Sequence, residues 1–188
     1  MVRNLTSALA LAIFLSLPAF AQDSASHDKN FDIRSSAGDL HVGKDADARK
    51  AGLPLYPGAR PKSDDENGDQ ANLSLLTDAF GMKLVVAKYQ SDDAPAKVID
   101  FYRDKLKKYG KVLECHSHKQ GGDVEVENDD KDSNSKELKC GDNSGPVTEL
   151  KVGTDDDQHV VAVEPREAGK GSTFALVYVH TRGKRGEI

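Results

Sequence analysis

The densest group of side chains able to do chemistry is Cys115-His116-Ser117-His118. Residues two apart on an extended strand share a face, so His116 and His118 would point the same way. Such a His-x-His pair can hold Zn²⁺ or Cu²⁺ once a third donor joins, here Asp123, Glu125 or a residue of another strand. Spacing fixes no third donor, and two solvated histidines at a strand end are the plainer account. Cys115 could act as a nucleophile only as a thiolate beside a base. His116 is adjacent, but neighbours on a strand face opposite ways. Cys115 and Cys140 are the only cysteines. In an oxidising compartment they pair, and closing roughly 26 residues would stabilise the fold by about 3–4 kcal/mol in the chain-entropy account.

Other candidates are weaker. His159 and His180 each flank an apolar run and read as packed or edge histidines rather than catalysts. Asp155-Asp156-Asp157 offers carboxylates to a hard cation, yet consecutive side chains splay apart, so it reads as a solvated turn. Residues 63–70 look superficially like a calcium loop. With Gly68 at the sixth loop position, Ser63 and Ser74 fall at the first and twelfth, where acidic ligands belong. The match fails. G-x-S-x-G and H-E-x-x-H are absent, as is a complete phosphate-binding glycine loop. No catalytic residue and no cofactor is expected; His116 and His118 stand as the metal candidates, Cys115 and Cys140 as the disulfide.

The element best placed to organise these residues is an amphipathic helix over residues 94–110. Val98, Ile99, Phe101, Tyr102, Leu106 and Tyr109 form one apolar stripe about 160° wide, with Asp100, Arg103, Asp104, Lys107 and Lys108 opposite. Lys105 falls inside the stripe, its stem packing and its ammonium reaching water. Pro95 suits the first turn, Asp92 and Asp93 the cap, and Gly110 a left-handed C′ position.

Alternating apolar residues predict strands around this helix. Residues 31–33 and 40–42 flank Ser35-Ser36-Ala37-Gly38 as a small hairpin. Residues 53–56 read as an edge strand ending in a Pro57-Gly58 turn of type II. Strands follow at 72–76, 82–89, 111–116, 136–140, 147–152, 159–164 and 173–181, with 82–89 central because both its faces are apolar. Short loops pair consecutive strands antiparallel. The expected class is α+β: a curved antiparallel sheet of about six to seven strands packed against one long amphipathic helix.

Residues 1–21 read as a removable export signal: Arg3 as the basic start, an apolar run from Leu5 to Leu17, and Ala19-Phe20-Ala21 before cleavage. A polar leader with the short hairpin occupies 22–50, a single α+β domain 51–182 and a basic tail 183–188. The 188-residue chain carries 26 Lys and Arg against 31 Asp and Glu; losing Arg3 makes this 25 − 31 = −6. That acidity disfavours nucleic acid, which needs a concentrated basic face. No stretch after the signal is long enough to span a membrane, so the expected location is periplasmic or secreted.

Three stretches, L-P-L-Y-P-G-A at 53–59, V-I-D-F-Y-R-D-K-L at 98–106 and D-Q-H-V-V-A-V-E-P at 157–165, together resemble a group of exported bacterial proteins with no assigned activity. That resemblance implies export and a shared fold. Phe101-Tyr102-Arg103-Asp104-Lys105-Leu106 also resembles the F-Y-x-x-x-L helix of the vicinal oxygen chelate superfamily, although residues 82–89 lack that family's first-strand histidine. The expected function is a non-enzymatic envelope module that binds a partner or small ligand. The alternative is a metal-dependent enzyme or metal-binding protein using His116 and His118.

Overall fold

The computed structural model describes residues 30–62, 70–118, 137–141, 143–166 and 170–183. In chain order the elements are β1 (Asn30–Ser35), β2 (Gly38–Gly43), β3 (Arg60–Pro61), β4 (Gln70–Leu76), β5 (Gly81–Ser91), α1 (Pro95–Leu106), β6 (Leu113–Ser117), β7 (Val147–Thr154), β8 (Asp157–Pro165) and β9 (Ser172–Arg182). All nine strands join one antiparallel sheet in the order β1-β2-β4-β5-β9-β8-β7-β6, with β3 beside the end of β5. β5 lies between β4 and β9, as its two apolar faces require.

The expected architecture of a sheet packed against one long helix is overturned. The described residues are mostly antiparallel sheet, and among them the helical segment is only 15 residues, α1 plus a 3₁₀ turn over Lys107–Tyr109. Two things enlarge the sheet. The hairpin β1–β2 continues it through β4 instead of standing apart in a leader. The acidic loop shrinks to Asp155-Asp156, because Thr154 already pairs with Asp157, so β7 and β8 run longer than their apolar cores. At about 4.8 Å per strand the eight-strand path is about 34 Å wide, whereas a twelve-residue helix is about 18 Å long. α1 accordingly packs on β7, β8 and β9, and beyond them Arg103 reaches Glu114 of β6 at 2.7 Å.

Several local expectations change with it. Residues 53–56 form no strand; only the following Arg60–Pro61 pairs with β5. The turn itself is there: Tyr56 O accepts from Ala59 N–H at 3.0 Å, and Gly58 has φ 73°, the left-handed geometry a type II turn demands. Residues 137–140 are not a strand but a segment with one bridge, Glu137 to Thr154. Asp92 and Asp93 do not cap α1, whose N-cap Ala94 makes no side-chain cap bond. Asp92 is taken by Arg60 at 3.0 and 3.1 Å and by Arg166 at 3.2 Å, and Asp93 by Lys97 at 2.7 Å and the Tyr56 hydroxyl at 2.9 Å. Gly110 does end the helical segment with a positive φ of 137°, its N–H donating to Lys107 O, but its ψ of −158° is extended rather than that of the expected αL cap.

The core beneath α1 explains why the three conspicuous stretches are what they are. Val98, Tyr102 and Leu106 of α1 are fully buried against Leu150, Val152, Val161, Val163, Phe174 and Leu176. Tyr56 meets Phe101 edge-on at 5.2 Å, Tyr102 lies 5.6 Å from Phe174, and Tyr89 stacks on Phe174 at 5.6 Å. The Tyr102 hydroxyl donates to Pro54 O and accepts from Tyr56 N–H, so the proline-rich turn is hydrogen-bonded to the helix. Residues 53–59, α1 and β8 are thus one packing unit.

Candidate interaction edge and polar clusters

The disulfide joins Cys115 of β6 to Cys140 with Cα atoms 5.5 Å apart, within the reach of a bridge. It ties β6 to the returning segment rather than to a second strand. His116 and His118 are both exposed, and the His116 N–H donates to Asn143 Oδ1 at 2.8 Å. Asp123 and Glu125, their supposed co-ligands, lie outside the described residues. Among the described residues no group of three or more His, Cys, Asp or Glu could hold a metal ion.

The same strands hold a polar cluster that the sequence did not flag. Glu149 and Lys151 of β7, their side chains 1% and 3% exposed, form an ion pair at 3.2 Å, and Ser117 Oγ–H donates to Glu149 Oε1 at 2.7 Å. Glu149 lies opposite Cys115, and Lys151 opposite Leu113. Alternating Glu and Lys on a strand look like a solvated face, so only the fold reveals their burial. Lys151 also borders a cavity of about 250 Å³ with Tyr109, Lys111, Leu113, Glu137 and Leu138. Its ammonium is held by Glu149, which makes the pair a structural one at the cavity wall.

His159 is buried and structural. Its ring stacks between Tyr109 at 3.9 Å and Tyr178 at 4.8 Å, and Nδ1–H donates to Ala51 O at 3.0 Å. Burial pushes its pKa below the usual histidine value. His180 is half-exposed, 3.8 Å from Asp157 Oδ2. Asp156 serves the turn, its carbonyl accepting from Thr181 N–H at 2.7 Å. These residues do not converge on a common point with His116 and His118.

The most open feature lies at the other end of the sheet. All six residues of β1 are exposed. The two-residue turn Ser36-Ala37 makes Ser35–Gly38 the hydrogen-bonded pair, so alternation directs the N–H and C=O of Phe31 and Ile33 toward β2 and those of Asp32 and Arg34 outward. On the sheet face away from α1, the register sets Phe31, Val42, Leu73, Leu84 and Val179 in one row. That row grades from buried Val179 to Val42 at 43% and Phe31 at 57% exposed, and Ile33 beside it is 44% exposed.

On the opposite face a polar latch holds this hairpin. His41 Nδ1 meets Asp32 Oδ1 at 2.8 Å, and Asn72 Nδ2 lies 3.3 Å from His41 Nε2 and 3.1 Å from Asp45 Oδ1. Lys50 pairs with Asp45, whose pKa these donors hold down to about 2. The hydrogen bond to Asp32 raises the pKa of His41. Asp32, Arg34 and His41 drew no attention in the sequence, because a short alternating hairpin carries no mark of lying at a sheet edge.

No family model matches this chain, and neither a curated protein nor a solved structure matches it.

Proposed function

We propose that the protein is an exported, non-catalytic interaction module that takes an extended polypeptide strand on the open edge of β1. The observation that carries this reading is the edge itself. Six consecutive exposed residues present outward N–H and C=O groups at Asp32 and Arg34, beside a sheet face where Phe31, Ile33 and Val42 remain open. Strand addition draws affinity from main-chain hydrogen bonds and selectivity from alternate side chains. The occupant is therefore an extended segment whose apolar residues recur at every second position. The Cys115–Cys140 disulfide supports export to an oxidising compartment. Among the described residues no helix is long and apolar enough to cross a membrane.

The test is a photo-crosslinking residue at position 34, with position 104 on the exposed side of α1 as control. In cells, position 34 should trap a polypeptide and position 104 should not. Absence of any adduct at 34, or equal trapping at both positions, would overturn the reading.

A further inference from the structure

We infer that the strand β1 takes is the β1 of a second copy of this chain, paired antiparallel about a two-fold axis through Ile33. This rests on the open-edge reading above and names its partner. Register selects this pairing. Outward hydrogen-bonding groups belong to Asp32 and Arg34, so an antiparallel pairing must set outward residues opposite outward residues. Three such registers are near the centre of the strand. One sets Asp32 opposite the second copy's Asp32, and another sets Arg34 opposite Arg34. Directly opposed like charges destabilise a ladder. The third sets Asp32 opposite Arg34 and, by symmetry, Arg34 opposite Asp32.

That third register is self-complementary, as an isologous interface requires. It places the two Ile33 side chains together at the axis, on the face where Ile33 is 44% and Phe31 57% exposed, so the open apolar ends of the two sheets become continuous. On the other face His41 holds Asp32 at 2.8 Å while leaving it 58% exposed and able to meet a cross-strand guanidinium. Arg34 forms no ion pair among the described residues. Pairing would close the β1 edge, beside which no other strand lies among the described residues.

Light scattering of the exported protein across micromolar to millimolar concentrations is the test, with Arg34→Asp and the double reversal Asp32→Arg/Arg34→Asp. The wild type should pass from monomer to dimer, and more weakly as salt rises. Arg34→Asp sets like charges opposite each other twice and should weaken dimerisation by about tenfold or more. The double reversal restores both pairs but gives up the Asp32–His41 hydrogen bond, and should recover part of that loss. An unchanged melting temperature for Arg34→Asp separates loss of pairing from loss of fold. A wild type that stays monomeric, or an Arg34→Asp variant that dimerises as well as wild type, overturns the self-pairing. If position 34 still crosslinks to a polypeptide of another mass, the edge reading stands without it; if it traps nothing, both fall.

Discussion

His41 and His159 lie on the same side of the sheet and respond to protons in opposite directions. Burial between two tyrosine rings lowers the pKa of His159. Its contribution to stability is complete above the unfolded value of about 6.5 and is lost as pH falls through the lowered folded value. For His41, raised first by its hydrogen bond to Asp32, the contribution is complete below that value and is lost as pH rises through the raised folded one. Urea midpoints taken from mildly acidic to mildly alkaline pH should therefore lose their acid-side decline in His159→Phe and their smaller alkaline-side decline in His41→Gln. Unchanged profiles would contradict both assignments. The buried Glu149–Lys151 pair makes a separate prediction. Lys151→Met leaves the buried Glu149 carboxylate without its counter-ion and should cost about 3–5 kcal/mol, while Glu149→Leu/Lys151→Met should recover much of it. Equal midpoints for the single and double variants would show that the pair is not buried as described.

Among the elements, α1 and its strands set most of the stability. Leu106 is fully buried and Asp104 exposed on the same helix. Leu106→Asp should destabilise by several kcal/mol and Asp104→Lys by under about 1 kcal/mol; equal shifts in urea midpoint would mean the helix faces the wrong way. The apolar stripe of α1 was legible because period 3.6 survives in a single amphipathic segment. The strands 82–89, 147–152, 159–164 and 173–181 were legible for the same kind of reason, and their ends moved only where turns proved shorter than their polar residues suggested. The Cys115–Cys140 bridge followed from there being only two cysteines. Its setting did not, because residues 137–140 alternate like a strand yet find only one backbone partner. The caps failed because Asp92 and Asp93 are claimed by Arg60, Arg166, Tyr56 and Lys97, partners distant in sequence that no local pattern announces. The edge was least legible of all: residues 31–42 read as a hairpin, and nothing local says that a hairpin extends a sheet.

At the scale of the whole molecule, a wide sheet meets a helix that packs on three of its strands. The end formed by β7 to β9 under α1 carries most of the core, joined by Val85, Ala87 and Tyr89 of β5; the opposite end, β1, β2 and β4, is held by ladder bonds and the His41 latch. The proposed interaction site is the end whose surface the fold leaves open. The most direct test is residue-resolved amide exchange along β1 in dilute and in concentrated protein. In dilute protein the Asp32 and Arg34 amides should exchange fast and the Phe31 and Ile33 amides slowly, following the alternation of outward and inward groups. At high concentration Asp32 and Arg34 should become protected as a second strand docks. Four amides equally slow in dilute protein would show that the edge is already filled, and four equally fast would show that β1 is not part of the sheet; either result would contradict the account.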